Sequence, residues 1–457
     1  DLSRDQFVQV LEEIAVCAWQ GGDARLTTEP KIEAHIRNRG LENLLKEYKT
    51  SAKNGVAKLL TAFYFRKNNK FSIETGDDTF EFTHKSFGEF LAARAIVKLI
   101  KSTHQKYVNK DQFSESESNY EILEEWWRVT GQNPLNSDLR QFIINELIIR
   151  VADGEPVELW QKTLCFLLRE VILHGLPIDR LKKRFNYSEE QRISRNTEET
   201  ILVALACCAR ATGELSEIGN PKDILFWLSK LSSSFSNDDF AFKNLNHLNL
   251  LKASIPRVNL SQTNQENSNL QNANLSGAHL DAARLQETNL QTANLSIAIL
   301  DNASIIETNL DEANLKQASL KEANVFAASL QKADLSNATA TRCDFTASNL
   351  SRAKLVGAKL AKANFTRANC TKADLTAADL QHADLTGIIL KEANLERAIL
   401  READLRGADF TNTHLKSADL AFADLSSTKG LTYEQLASTK SLYQAKSIPP
   451  HLKDRLN

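Results

Sequence analysis

The sequence predicts a multidomain chain: an α-helical N-terminal half with a winged-helix arrangement, then an all-β solenoid of square coils closed by a C-terminal helical cap. Three observations predict it. An apolar residue recurs at every fifth position from Leu245 to Leu425. Residues 1–240 carry all five tryptophans and read as helices around one hairpin signal. After Leu425 the five-residue period stops and helix-start signals return. The expected domains are 1–100 (winged-helix-like), 101–240 (helical connector), 241–428 (solenoid) and 429–457 (cap).

In chain order, Ser3 caps a helix to about Trp19. Helical patterns follow at 29–38 and 41–50, then the apolar segment "VAKLLTAFYFRK" (56–67). In "FSIETGDDTFEFTH" two strand-like runs flank Gly76-Asp77-Asp78, a hairpin signal. A long helix starts near Ser86, which reads as its N-cap, with Glu89 completing a capping box. Helices, a hairpin and another helix describe a winged helix. "NSDLRQFIINELIIRVA" (136–152) and "VELWQKTLCFLLREVILHGL" (157–176) are apolar at helical spacing. Asn196 with Glu199 reads as the opening of "TEETILVALACCARATG". "GEP" (154–156) and "GNPK" (219–222) are turns. Trp126 and Trp127 read as packing residues, and "DRLKKRF" (179–185) as a solvated helix face. The Ser-rich "LSSSFSNDD" (231–239) marks the boundary before the solenoid.

The register from Leu245 to Leu425 has 37 positions, of which only Gln265 is polar. Two residues before each lies a small one, usually Ala, with Asn or Asp between, giving A-(N/D)-L-x-x. On an α-helix, steps of five rotate the side chain by about 140°, so the leucines would spiral round the surface. On a straight strand they would alternate faces. They stay on one side only if the chain bends once per repeat, and four bends close a coil of twenty residues. Sorted modulo twenty, three faces are almost all leucine, while Gln265, Ile305, Val325, Phe345 and Phe365 share the fourth. Phe345 should stack on Phe365. Asn249, Asn269, Asn289, Asn309, Asn349 and Asn369 share a face, as an amide ladder would. Nine coils at about 4.8 Å each make a rod on the order of 45 Å long.

These 185 or so residues resemble the pentapeptide-repeat family. The resemblance implies a right-handed quadrilateral β-helix. No insertion interrupts the register, so binding would use faces or ends. Beyond it, Thr432 to Gln435 form a capping box and Pro449-Pro450 opens a second short helix. Leu431, Leu436, Leu442 and Tyr443 are expected to cover the last coil, as solenoid caps do.

Formal net charge is −2, which gives no reason to expect a nucleic-acid or anionic-membrane partner. The six cysteines form no CxxC pair and lie at no metal-ligand spacing from a histidine, so free thiols and no metal are expected. The longest apolar run, 201–209, is far below the ~20 residues of a membrane span. A cytoplasmic protein without a signal peptide fits these features. The chain has no Met and opens "DLSRDQ", so a fragment of a longer protein is expected.

"FEFTHKSFGEFLAARAI" (80–96) resembles the end of the winged-helix domain in NACHT-type (STAND) signalling NTPases, roughly F-x-H-x-S-F-x-E-[FY]-x-A. The matches are Phe82, His84, Ser86, Phe87, Glu89, Phe90 and Ala92. The resemblance implies that His84 contacts the β-phosphate of ADP and holds a closed, inactive form. A structural histidine is the competing reading. Phe82, Phe87 and Phe90 read as core. The chain contains no GxxxxGK[ST], so the NTPase core is absent and ADP or ATP is expected only with an NTPase domain in cis. No catalytic residue is assigned, because no nucleophile–base constellation is present.

Residues 241–430 carry 20 Lys plus Arg against 20 Asp plus Glu. Asp384, Asp404 and Asp424, twenty apart, should form a carboxylate column, offset by Arg397, Arg401 and Arg406. The column reads either as a salt-bridged, solvated surface or as an acidic recognition stripe. The function expected is the non-catalytic regulatory or sensor portion of a nucleotide-switch protein. Its solenoid would recognise a protein or other macromolecule, and an oligomer on activation is allowed. The alternatives are a DNA-mimicking topoisomerase inhibitor, which needs an acidic rod, and a passive scaffold.

Overall fold

A computed structural model describes residues 3–21, 26–39, 41, 43, 65–67, 79–82, 84–109, 115–177, 185–219, 245, 247–448 and 452. The chain divides into two compact units, Asp1–Gly219 and Asn220–Asn457. The expectations at 44–50, 56–64, Gly76–Asp78, 179–184, 231–239 and Pro449-Pro450 lie outside the described residues.

The first unit opens with α1 (Arg4–Gln20), held by a reciprocal capping box between Ser3 and Gln6. Then come β1 (Leu26–Thr28), α2 (Glu29–Asn38), β2 (Phe65–Lys67) and β3 (Thr79–Phe82). The three strands make one antiparallel sheet in the order β1-β3-β2, with Leu26 opposite Glu81 and Phe65 opposite Phe82. The helices α3 (Lys85–Val108), α4 (Glu115–Thr130), α5 (Ser137–Ala152), α6 (Val157–His174) and α7 (Tyr187–Thr212) follow. α3 packs against α1, α5 and α6, while α7 packs against α4, α5 and α6. α7 is buried nearly all round from Thr197 to Ala209, so its apolar run is a central core helix. Trp126 is fully buried and its indole donates to Thr103 Oγ1 at 2.8 Å.

Two helix starts differ from expectation. α3 begins at Lys85, and its N-cap is His84 in extended backbone, without a side-chain cap. Ser86 is already inside the first turn and exposed. Glu89 is buried instead and accepts from Asn136 Nδ2 at 3.0 Å, so it ties α3 to the start of α5. α7 begins ten residues before the expected opening, at the capping box of Asn186 and Glu189. Asn196 lies mid-helix, donating to the Gly131 carbonyl at 3.0 Å.

In the second unit, parallel bridges join the residue just before each central one to its counterpart twenty later, from Asn249↔Asn269 through Asp409↔Lys429. Four repeats therefore make one coil, as the modulo-twenty sorting requires. The central residues are buried, and Phe345 stacks on Phe365 with ring centroids 4.7 Å apart. At most corners the central carbonyl accepts from the N–H three residues on, as Ala253 N donates to Leu250 O at 2.9 Å. The second corner residue has positive φ in every repeat, from His247 (57°) to Ser427 (57°).

The donor accounting explains the Asn/Asp position. Four of five N–H groups per repeat go to the ladder or the corner bond. The fifth, just after the central residue, goes to the side chain just before it: Leu251 N to Asn249 Oδ1, Ser261 N to Asn259 Oδ1, Ser351 N to Asn349 Oδ1. Unpaired, that N–H would carry a desolvation penalty. At Ser319 and Ser329, where serine replaces the amide, an aspartate of the preceding coil substitutes: Lys321 N reaches Asp301, and Gln331 N reaches Asp311. Pro256 occupies one such site and has no N–H to satisfy. Side-chain amide ladders form between Asn249 and Asn269, and along Asn274, Asn294 and Asn314 on the neighbouring face.

At the C-terminal end, α8 (Tyr433–Ala437) carries the expected Thr432–Gln435 capping box. The ladder does not stop at Leu425, as the period does. It resumes at Asp419↔Ser441 and Asp424↔Lys446, two residues longer per coil, because α8 replaces one side. Gln435 Nε2 donates to the carbonyls of Phe410 and Thr413, both at 2.9 Å. Thr413 thus receives from a side chain the bond that a further strand would give. Leu436 is buried, Leu431 and Leu442 are half-buried, and Tyr443 is exposed, edge-on to Phe422 at 5.4 Å. Tyr443 therefore does not cover the coil end as expected.

Candidate functional site

His84 stands where extended backbone (φ −125°, ψ 126°) leaving β3 turns into the 24-residue α3. Phe82 anchors this junction as a fully buried residue, with Phe87 edge-on at 6.2 Å. Phe87 and Phe90 are half-buried. His84, Lys85 and Ser86 are exposed together at the helix N-terminus. The helix dipole favours an anion there, with Phe87 N already donating to the His84 carbonyl at 3.1 Å.

The carboxylate column is built as its spacing requires: Asp384 bridges to Asp404, and Asp404 to Asp424. Each carboxylate already accepts the N–H of its own corner, from Thr386, Arg406 and Ser426. Arg406 grips Asp404 through two nitrogens at 2.6–2.9 Å, and this pairing holds the Asp404 carboxyl below its ordinary range. Arg401 turns instead to Asp419 at 3.4 Å, and Arg397 to Glu396 at 3.9 Å. Of the three arginines, only Arg406 offsets the column.

The corners carry a second pattern, which a net-charge sum passes over and a modulo-twenty sorting reveals. One corner column reads Glu312, Lys332, Arg352, Lys372, Glu392; another reads Glu322, Arg342, Lys362, His382, Glu402. The outer basic residues pair with the outer glutamates: Lys332–Glu312 at 2.7 Å, Lys372–Glu392 at 3.3 Å and Arg342–Glu322 at 3.1 Å, with the His382 ring 3.3 Å from Glu402. The six cysteines are free and buried, and burial pushes the thiols of Cys207 and Cys370 up to about 12. Among the described residues no His, Cys, Asp and Glu group is placed to hold a metal ion, and no helix is long and apolar enough to cross a membrane.

The buried five-residue ladder and its four-sided coil define a β-solenoid of repeated pentapeptides. The family profile described as Pentapeptide repeats matches eight copies, over 259–296, 298–325 and overlapping segments of 328–429. The chain belongs to the pentapeptide-repeat family. Among solved structures it is similar to HetL, a pentapeptide repeat protein involved in heterocyst differentiation regulation from the cyanobacterium Nostoc sp. strain PCC 7120. The identity there is 35%, over 40% of this chain and 87% of that one, with a TM-score of 0.22. Full-length QnrB1, a plasmid-mediated fluoroquinolone resistance protein, is 18% identical over 45% of this chain and 97% of its own, with a TM-score of 0.30. A pentapeptide repeat protein of the Arabidopsis thaliana thylakoid lumen is 37% identical over 20% and 63%, with a TM-score of 0.20. No curated protein is matched by the sequence.

Proposed function

We propose that this chain is the non-catalytic regulatory portion of a NACHT-type nucleotide-switch protein, with the pentapeptide coil as its recognition surface. The observation that carries the reading is His84, exposed at the head of α3 within the motif Phe82 to Ala92. An imidazole there donates to a phosphate oxygen, strengthened by charge when protonated. The first-turn N–H groups of α3 add to the same attraction. The other half of the nucleotide contact belongs to an NTPase domain in cis, so ADP and ATP enter only with that domain. The switch is two-state, biased by whichever form a ligand prefers. Every corner of the coil turns in two residues, which leaves no loop for a grafted active site and favours a binding role for its charged faces. A cytoplasmic location and assembly on activation belong to the same reading.

The DNA-mimic alternative asks for an acidic surface. Here 20 cations meet 20 carboxylates over 241–430, and the middle coil is basic.

The test extends the chain upstream by its NTPase domain and measures co-purifying nucleotide. His84→Ala is expected to lose most of the ADP retained by the parent. Equal ADP in parent and variant, at equal folding, would falsify the sensor role.

A further inference from the structure

We infer that the coil of residues 350–369 is a docking belt for an acidic segment of a partner protein. No carboxylate occurs between Asp344 and Asp374. Within that stretch Arg352, Lys354, Lys359, Lys362 and Arg367 are exposed, and among the described residues none of the five forms an ion pair. Arg352 lies between Lys332 and Lys372 in its corner column, and Lys362 between Arg342 and His382. Those four neighbours turn to glutamates, and Arg352 stands between Lys332 and Lys372, while Lys362 has Arg342 on one side and the His382 ring on the other. Like charges at strand spacing oppose each other. The coil gains nothing internal from Arg352 or Lys362, so their return lies in something that binds from outside.

The fences define the occupant. Glu312 and Glu322 close the strip on one side, Glu392 and Glu402 on the other. Each cation strip is three coils long, about 10 Å from first to last at 4.8 Å per coil. A nucleic-acid backbone laid along the coil axis would run past the cations onto the glutamates. A short cluster of carboxylates with neutral or basic flanks matches the pattern, since complementarity of sign and extent sets specificity. Arg352 and Lys362 are half a coil apart and so lie at opposite corners, which offers the acidic segment two seats, the one at Arg352 flanked by lysine on both sides. The inference rests on the coil being a recognition surface and is independent of the nucleotide switch.

The experiment measures fluorescence anisotropy of a labelled oligo-aspartate peptide against the intact chain. Saturable binding is expected at low salt, weakening as salt rises because the belt is exposed. Arg352→Glu combined with Lys362→Glu is expected to weaken it at least about tenfold, in line with close charge pairs at interfaces. Arg257→Glu, at an exposed corner outside the belt, is expected to leave it unchanged. Arg352→Glu sets a carboxylate between Lys332 and Lys372, so its melting temperature should not fall, which separates lost binding from lost fold. Absence of saturable binding at low salt overturns the proposal. So does undiminished binding by the double variant, or a DNA duplex that binds more tightly and displaces the peptide.

Discussion

At each corner of the coil one residue holds a left-handed backbone that asparagine or glycine adopts with least strain. Nothing in the five-residue pattern announces this position, because lysine, glutamate, threonine and isoleucine all occupy it. The apolar and amide positions were legible because burial and donor pairing restrict them to a few residue types. The corner residue was not, because its backbone is held by the ladder whatever its side chain. Ile297 is the extreme case: β-branched, φ 60°, and 62% exposed. Ile297→Asn should raise stability by about 1 kcal/mol, since asparagine accepts that backbone and little packing is lost. Urea unfolding followed by circular dichroism checks it, and a lower midpoint would show that the side chain packs more than its exposure implies.

Element boundaries depend on which of several equivalent signals burial selects. Asn186–Glu189 and Asn196–Glu199 are both capping-box patterns ten residues apart. The first caps α7, while the second lies within the core, Asn196 serving the Gly131 carbonyl. In the same way Ser86–Glu89 reads as a cap, but Glu89 is drawn inward by Asn136. The sequence cannot rank such pairs without the neighbouring helix. α8 shows the converse, since Gln435 completes its own capping box and also serves two carbonyls of the last full coil. Gln435→Ala should therefore loosen the coil end before the coil middle. Hydrogen exchange should quicken at the amides of Leu420, Phe422 and Leu425, which pair with 441–446, and stay slow at Leu330 and Leu350. Uniform acceleration along the coil would contradict this view of the cap.

At the scale of the whole chain, the interior of the solenoid was legible because one period fixes its stacking, whereas the first unit depends on non-periodic packing between distant helices. The solenoid should also govern the response to acid. Asp404 is held low chiefly by Arg406. For Asp334 and Asp409 burial pulls upward, but bonds from Ser336 and Lys316, and from Thr411 and Lys391, outweigh it. Carboxyls with depressed values contribute stability above the ordinary range near 4 and lose it as pH falls through their own lower values. The β-sheet melting temperature should stay level from about pH 7 to about pH 5 and fall below about pH 4. Asp404→Asn should make that fall shallower. Glu12 in the first unit has the opposite sign, because burial raises it despite Lys98 and Arg94, so the β signal is the one to follow.

The twenty-residue lattice sets two different tolerances for change in chain length. Inserting one five-residue unit leaves every leucine in the interior but advances all later surface residues by a quarter turn. Placed between Arg352 and Lys372, it would take Lys372 out of the column of Arg352; placed between Asp384 and Asp404, it would part those two carboxylates. Inserting four units restores every column and only lengthens the coil. Growth by single repeats therefore preserves the fold while rewriting its surface, and growth by whole coils preserves both. A recognition pattern drawn across several coils therefore survives growth within its own bounds only when that growth comes in twenties.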